Sequence, residues 1–494
     1  MLQDKRGEMA VKDVLFLGIL LASSAVTAFF IITLSIYKTL FLFATVLLCI
    51  FTFANINLGL LFIVALMLFP NMMPRQMFGI VGINPFNLLF GAVIGVVILR
   101  IIIRRSNIRF TELFYLPLIL VFLLQGIAIF RFQNASHLTT LENSQWLMRF
   151  FKPMQYMILL ILIVNFIRSK QISLLSIIIM LGFVMAGGFL FSEWLRYGFA
   201  MTITLSKDVT HLLWANPTLG HKVNWSTMFT LNFFFVLAIL GQRFSNWNLV
   251  IKILSWISLG LIGFMIAVSL ARVAYVSFLI GMLYFYWKKG RFQLMVTLLI
   301  LVLAISLLPE IVRLRATQDL PTSFNVDTLN RFLSGRLIAR WVPAIKAFAE
   351  NPLFGRGLNG AGIYVLGQAY FTYPHSGYIA TLCDMGIIGL VVMIWLFVSF
   401  WRHCGHIYVN TRNQLTRRLA LGCRTQILIL AFSNFATDFT FFYSPMVVAP
   451  FFLSAAMLFS SYREEEENQA SIESTVLVPA AILPASEQIP NPIG

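Results

Sequence analysis

Charged residues are scarce in this chain. Asp, Glu, Lys and Arg together make up 11% of its 494 residues, whereas 59% of the residues are hydrophobic. This composition excludes a soluble globular protein, which needs a far more polar surface. Apolar runs of about 18 residues or more recur from end to end, and each can cross a bilayer as a helix. The polar–apolar alternation of a transmembrane barrel is missing, so the sequence predicts an all-α polytopic membrane protein.

Cysteine is also rare. The chain has four cysteines, Cys49, Cys383, Cys404 and Cys423, and none falls in a loop that we predict to face outward. The sequence therefore gives no basis for a disulfide framework.

The apolar runs place the helices. We predict about fourteen transmembrane helices in a single membrane domain over residues 1–461. Residues 25–28 are similar to a signal-peptide cleavage site, but the apolar sequence continues to Pro70 and favours an uncleaved first helix. The predicted helices span residues 14–34, 37–53, 56–70, 85–103, 113–130, 153–167, 172–191, 225–241, 250–268, 272–287, 292–308, 376–400, 419–437 and 442–461.

Acidic residues are almost absent from one set of alternate loops, which carry basic residues instead. By the positive-inside rule these loops are cytoplasmic, and both termini fall on the same side. This topology explains the net charge of +17 better than nucleic-acid binding does. Residues 462–494 begin with an acidic run and continue through Pro, Ser and Ala, which predicts a disordered cytoplasmic tail. The basic loop residues are Arg104, Arg105, Arg109, Arg168, Lys170, Arg243, Lys252, Lys288, Lys289, Arg291, Arg402, Arg412, Arg417 and Arg418.

The longest outer segment is residues 309–375. The spacing of its apolar residues predicts an amphipathic helix over 327–350. Arg336 and Arg340 are four residues apart, so they share a face of that helix, and a bound phosphate could accept hydrogen bonds from both. The alternative is a basic helix that lies on anionic headgroups. The basic residues of this segment are Arg313, Arg315, Arg331, Arg336, Arg340, Lys346 and Arg356, against Glu310, Asp319, Asp327 and Glu350.

Two further residues are candidates for a functional site. Arg272 interrupts an apolar run at the outer end of a predicted helix, where an arginine marks a functional site or snorkels to the interface. His375 lies on the same side, where the next helix begins. Imidazole ordinarily titrates near neutral pH, which suits a general base, and a structural histidine is the alternative. Asp384 lies about 2.5 turns into that helix, too deep to be an evident partner of His375.

Several motifs occur together between residues 220 and 400. They are Val-Ser-Leu-Ala-Arg at 268–272, Ser-Gly-Arg at 334–336 with Trp341, Asn-Pro-Leu-Phe-Gly-Arg-Gly at 351–357, and His-Ser-Gly-Tyr at 375–378 followed by Asp-Met-Gly-Ile-Ile-Gly-Leu at 384–390. This set resembles the O-antigen ligase and O-antigen polymerase superfamily. Ala271 and Ser376 depart from the family pattern, which often has Ser and usually has Asn at these two positions.

The resemblance implies both a fold and an activity. The fold is all-helical and GT-C-like, with the outer segment covering a cavity that opens to the bilayer. The activity is that of a glycosyltransferase, which moves a glycan from undecaprenyl pyrophosphate to an acceptor hydroxyl in O-antigen, lipopolysaccharide or exopolysaccharide biosynthesis. The site would face outward from the bacterial plasma (inner) membrane.

The resemblance also implies roles for the candidate residues, three of which we expect to converge on one outward-facing cavity. Arg272 and Arg336 would stabilise charge on the departing pyrophosphate, and His375 would accept the hydroxyl proton. Arg340 and Arg356 would bind the anionic donor at the rim. The outer segment has no evident carboxylate pair of the glycosidase kind and no acidic metal-binding motif. We therefore expect catalysis without a metal or other cofactor, and direct displacement would invert the anomeric centre.

The motifs leave alternatives open. A ligase would use lipid A-core as acceptor, whereas a polymerase would use the next lipid-linked repeat unit. Some members of the superfamily carry transporter labels, including bicarbonate transport. A transporter should concentrate ionisable groups near the bilayer midplane, whereas this chain concentrates them at one face. A non-catalytic scaffold for polysaccharide assembly would leave the arginines without a role.

Overall fold

The computed structural model describes residues 36–68, 76–77, 80–81, 84–103, 108, 114–133, 154–197, 222–240, 248–269, 271–307, 310, 325–332, 336–357, 374–437 and 445–476. Helices dominate these residues. A small antiparallel pair, β1 (Gln76–Met77) and β2 (Ile80–Val81), lies between the second and third helices. The helices are α1 Ile36–Ala54, α2 Ile56–Leu68, α3 Pro85–Ile102, α4 Tyr115–Gln133, α5 Met154–Phe166, α6 Ser169–Tyr197, α7 Lys222–Ile239, α8 Asn248–Val268, α9 Arg272–Lys289, α10 Arg291–Leu307, α11 Val326–Phe332, α12 Val342–Glu350, α13 Gly377–Asn410, α14 Gln414–Ala436 and α15 Pro445–Val476.

The helices confirm the all-α membrane class. Each predicted helix from 37–53 onward overlaps a helix of the structure, and the predicted helix 14–34 lies outside the described residues. Within the described part, α3, α6, α8 and α13 are long and apolar enough to cross a membrane, and several shorter helices are also apolar. Large side chains such as Leu249 and Phe292 are 71% and 76% exposed. Surfaces of this kind suit lipid better than water, so the chain is a multi-pass membrane protein.

The centre of the bundle is α7, which packs against α8, α9, α14 and α15. Gln426 of α14 joins three of these helices. Its side-chain amide donates to the carbonyl of Leu231 on α7 at 2.8 Å and to the hydroxyl of Ser454 on α15 at 3.2 Å. A polar group inside a membrane domain must find its partners within the protein, so these bonds fix the contact of the three helices.

The described part of the predicted amphipathic helix 327–350 is helical but not regular throughout, and residues 333–335 lie outside the described residues. Between α11 and α12 the chain makes one π-helical turn, Leu337–Trp341. Pro343 supplies the physical reason. It has no N–H to donate to the carbonyl of Ala339, and its ring would clash with that carbonyl in a regular α-helix. A π-helical turn, with bonds from residue i to i+5, accommodates the proline.

The last helix is longer than the sequence predicts. α15 continues through residues 463–476, which the sequence analysis assigned to a disordered tail. Glu467 explains the continuation, because it pairs with Arg168 at 2.7 Å and with Arg463 at 3.1 Å. The acidic run thus binds a basic loop, a partner that the sequence pattern of the tail alone does not reveal. Residues 477–494 lie outside the described residues.

Removing this carboxylate should loosen the helical extension. Burial raises the pKa of Glu467, but hydrogen bonds and charge from Arg168 and Arg463 lower it by more, so the pKa lies below its ordinary value. Its stabilisation is complete above the unfolded-state value of about 4.3 and is lost as pH falls through the folded-state value. Since exposed ion pairs contribute about 1 kcal/mol or less, Glu467→Gln should speed amide hydrogen exchange over residues 463–476 roughly two- to fivefold at neutral pH. Glu466→Gln, at an exposed neighbour, is the control, and equal exchange in both variants would contradict the role of Glu467.

Candidate functional site

His375 precedes α13 and has a left-handed backbone. Its φ is 54°, and no other described residue except glycine has a positive φ. This conformation costs an L-residue roughly 1–2 kcal/mol, although histidine adopts it more often than most residues do. Such residues persist where their surroundings impose the conformation, and they cluster at functional sites.

One hydrogen bond ties His375 to the predicted arginines. The indole N–H of Trp341 donates to the carbonyl of Pro374, the residue before His375, at 2.9 Å. Trp341 ends the π-helical turn, which follows Arg336 directly and contains Arg340. The structure therefore places the turn that carries Arg340 and follows Arg336 within one indole side chain of the backbone at His375.

On its other side, His375 is held by the end of α14. The hydroxyl of Ser376 donates to the carbonyl of Asn434 at 3.3 Å, and the N–H of Gly377 donates to the carbonyl of Thr437 at 2.8 Å. These bonds fix the start of α13 against the last turn of α14. His375 is thus clamped between this turn and the π-helical turn.

Arg272 is the first residue of α9, and Ser269 closes the turn before it. The hydroxyl of Ser269 donates to the carbonyl of Ile266 at 2.7 Å and accepts from the N–H of Ala271 at 3.2 Å. The first turn of α9 has neither a side-chain cap nor an acidic residue. The arginine therefore lies at the positive end of the helix dipole. A bound anion there would offset the repulsion between the guanidinium and the dipole.

α9 and α14 run antiparallel, as two contacts show. The hydroxyls of Ser277 and Ser433 are 2.9 Å apart. One turn further along α9, Gly281 lies against Ile429, whose Cδ1 would be 2.8 Å from a Cβ added at the glycine. The second contact is four residues later on α9 and four residues earlier on α14, so the two helices run in opposite directions.

This register brings Arg272 to the same end of the bundle as His375. Arg272 lies five residues before Ser277, which is about 7.5 Å along a helix axis. Thr437, whose carbonyl binds the start of α13, lies four residues after Ser433, or about 6 Å. Arg272 and His375 therefore both border the end of α14 at which α13 begins, together with the turn that follows Arg336.

α13 is broken at Gly386, and the outer segment fills the break. Gly386 has φ 70° and ψ −167°, which no helical residue adopts. The carbonyls of Cys383 and Asp384, which face the break, accept hydrogen bonds from outside the helix. The N–H of Arg356 donates to Cys383 at 2.7 Å, and the N–H of Gly357 donates to Asp384 at 3.1 Å.

The second half of α13 is bound in the same way. The N–H groups of Ile387 and Ile388 donate to the carbonyls of Pro352 and Leu353 at 2.8 and 3.4 Å. The backbone groups freed by the break are therefore satisfied by a single loop, as a membrane domain requires. Both motifs are conspicuous in the sequence, but nothing in their spacing predicts that they bind each other. A glycine in the middle of an apolar helix was the available signal for the break.

Arg356, predicted to lie at the rim, already has an acidic partner. Its guanidinium pairs with Glu350 at the end of α12. α12 itself packs on α13 through the fully buried Ala344, whose carbonyl accepts from the thiol of Cys383 at 3.0 Å. The Arg356 side chain therefore helps to hold the loop, which the sequence analysis did not foresee. Trp341 is the other side chain with a positioning contact that its sequence motif does not predict.

Gly386→Ala should destabilise the protein strongly. An added Cβ would lie 2.2 Å from the carbonyl oxygen of Leu353 and 2.6 Å from the nitrogen of Phe354, so backbone would have to move. Together with the left-handed φ, the cost should exceed about 2 kcal/mol in thermal unfolding of the purified protein. Gly95→Ala in α3 is the matched control, because a Cβ there meets nothing within 4 Å and alanine favours a helix. Equal melting temperatures of the two variants would contradict the close packing of residues 352–357 against the break at Gly386.

The fold and these contacts define an integral-membrane protein whose candidate arginines and histidine lie at one end of its helices. Residues 257–394 match the family model described as O-Antigen ligase. This match contains all five candidate site residues and confirms the resemblance to the O-antigen ligase and polymerase superfamily. Over these residues the chain is therefore similar to the O-antigen ligase family. None of the curated proteins compared with the chain matches it.

Proposed function

We propose that this chain is a membrane glycosyltransferase of the O-antigen ligase or polymerase type. It transfers a glycan from undecaprenyl pyrophosphate to an acceptor hydroxyl in the synthesis of a surface polysaccharide. One observation carries this proposal: Arg272, the turn after Arg336 and His375 border the same end of α14, within the region that matches the O-antigen ligase family. Positive charge beside a histidine suits the transfer of a group from a pyrophosphate to a hydroxyl.

The chemistry needs two kinds of side chain. The acceptor oxygen attacks the anomeric carbon while the bond from that carbon to the pyrophosphate oxygen breaks. His375 takes the hydroxyl proton, because an unassisted hydroxyl is a weak nucleophile. Arg272 and Arg336 stabilise the charge that develops on the pyrophosphate, which is already a good leaving group. A single displacement of this kind inverts the anomeric centre, and we assign no step to a metal or cofactor.

The rim residues contribute to donor binding in different ways. Arg340 lies in the turn beside Trp341, close to the backbone of His375, and its charge would attract the anionic donor. Arg356 would act on the donor only through an ion pair that it shares with Glu350. We therefore expect Arg340 to matter more for donor binding than Arg356.

The proposed topology has about fourteen transmembrane helices in a GT-C-like arrangement in the bacterial plasma membrane. Both termini are cytoplasmic and residues 309–375 face outward, as the basic loops indicate. Cysteine labelling tests this arrangement after the four native cysteines have been replaced by serine. With an impermeant maleimide, Thr322→Cys should react in intact cells, whereas Asn413→Cys should react only after permeabilisation. Labelling of position 413 from outside intact cells would overturn the topology.

Transport is the second candidate, because a helix broken inside the membrane is typical of secondary transporters. In such proteins the backbone groups freed at the break coordinate the transported ion. In this chain the outer segment binds the freed groups on both sides of Gly386. That occupation favours a structural role for the break and glycosyl transfer for the protein.

The products that accumulate in a deletion strain separate these functions. Loss of a ligase should leave long unattached glycans on the lipid carrier, whereas loss of a polymerase should leave single repeat units. Loss of a transporter should leave the lipid-linked glycans unchanged, and that result would contradict the proposed function.

A further inference from the structure

Arg424 lies inside α14, well away from the site described above. It stands thirteen residues before Thr437, a distance of about 20 Å along the helix. Its guanidinium carbon is 4.4 Å from the ring centre of Trp401 and 6.0 Å from that of Tyr284. Among the described residues it has no ion pair, and its buried Nε has no hydrogen-bond partner. A cation inside a membrane domain is costly unless an anion or several acceptors accompany it.

Tyr284 supplies a second donor at the same place. The residue is 9% exposed, and its hydroxyl is buried without a hydrogen-bond partner in the described part of the chain. Its ring centre is 5.2 Å from that of Trp401, so the phenol, the indole and the guanidinium form one cluster. Two buried donors without an acceptor among the described residues indicate a ligand with acceptor oxygens.

The cluster opens to the surface of the bundle. Arg424, Trp401 and Gly405 are each half-buried. A Cβ added at Gly405 would lie 3.5 Å from the guanidinium carbon of Arg424, so α13 packs closely against one side of the guanidinium. A ligand can therefore reach the exposed part of Arg424, which lies where α9, α13 and α14 meet.

Position in the membrane indicates which anion this is. Tyr284 lies one helical turn before Lys288 and Lys289, which end α9. On the proposed topology that end is cytoplasmic, so the cluster is about 6 Å inside the cytoplasmic interface. Basic pockets between helices at this level bind anionic lipid headgroups. We propose that Arg424 and Tyr284 bind the phosphate of an anionic glycerophospholipid from the cytoplasmic leaflet.

Lipid binding to the purified protein tests this proposal. Phosphatidylglycerol should bind to wild-type protein in detergent and raise its melting temperature, and phosphatidylcholine should do so less. Arg424→Gln should weaken phosphatidylglycerol binding about 10- to 100-fold, because a hydrogen bond to a charged group is lost. Tyr284→Phe should weaken it about two- to tenfold, as expected for a neutral hydroxyl. Arg402→Gln, at an exposed arginine beside Trp401, is the matched control and should bind within about twofold of wild type.

Each other outcome overturns the proposal. If Arg424→Gln binds phosphatidylglycerol as tightly as wild type, Arg424 does not bind the lipid, and its only partners among the described residues are the rings of Trp401 and Tyr284. Equal stabilisation by inorganic phosphate would mean that the site takes a free anion rather than a lipid. If Arg424→Gln does not fold, Tyr284→Phe and Arg424→Lys carry the test, and wild-type phosphatidylglycerol binding in both would contradict the site. The measurement does not depend on glycosyl transfer, so the two proposals can fail separately.

Discussion

Replacement of His375 by asparagine is expected to lower the rate of glycan transfer about 10²- to 10⁴-fold, the usual contribution of a general base. Asparagine removes the imidazole but tolerates the left-handed backbone, whose φ is 54°. Alanine would strain the left-handed backbone by roughly 1–2 kcal/mol. A loss of activity in that variant could then come from the missing base or from a displaced backbone. Asparagine is therefore the sharper substitution, and glycine is its natural companion.

The pattern across three variants separates the two roles of His375. If the imidazole is the base, His375→Asn, His375→Gly and His375→Ala should all lose activity to a similar degree. If only the backbone conformation matters, the asparagine and glycine variants should stay active and the alanine variant should not. The asparagine variant should also gain activity as pH rises, because a larger fraction of the acceptor hydroxyl is then ionised. A folded asparagine variant with the wild-type rate would show that this histidine is structural.

Arg336→Ala is expected to lower the transfer rate about 10²- to 10³-fold, the usual cost of removing one donor that stabilises developing charge. Arg336→Lys should restore only part of this loss. Lysine keeps the positive charge but lacks the planar fork that binds two phosphate oxygens at once. Lys346→Ala is the matched control, since Lys346 is an exposed cation on the neighbouring helix α12 and its loss should leave the rate nearly unchanged.

The two active-site losses should differ in kind. Without Arg336, both binding of the donor and departure of the pyrophosphate suffer, so the affinity for donor and the maximal rate fall together. Without the His375 imidazole, the donor should bind as in wild type and the maximal rate alone should fall. Full activity in Arg336→Lys would mean that the position needs only a point charge. It would contradict a bidentate hydrogen bond from Arg336 to two phosphate oxygens.

The helices were predictable because hydrocarbon imposes a simple rule on sequence. A segment that crosses the membrane must be long and apolar, so composition alone predicts α3, α8 and α13. Their ends were less predictable. α15 continues beyond Tyr462 because Glu467 pairs with Arg463 on its own helix and with Arg168 in the loop between α5 and α6. No local pattern encodes the contact with Arg168, which is about 300 residues away in the chain.

The site was predictable in its residues and not in its construction. Arg272, Arg336 and His375 stood out because cations and a histidine are conspicuous in so apolar a chain. Their common position depends on the register of α9 against α14, which Ser277 and Ser433 set and which no local periodicity reveals. The break at Gly386 was missed for a related reason. An apolar run predicts a continuous helix unless the partner that satisfies the freed backbone is known.

The central claim is that this protein transfers glycans from a lipid carrier, and reconstituted transfer tests it most directly. Wild-type protein and the His375→Asn variant would be placed in vesicles with purified, labelled undecaprenyl-pyrophosphate-linked glycan and with membrane glycolipids from the deletion strain as acceptors. We expect the wild type to release undecaprenyl pyrophosphate and to move the label to a longer glycan or a glycolipid, and the variant to bind the donor without releasing it. Intact donor with the wild-type protein, or equal release by both proteins, would contradict the claim.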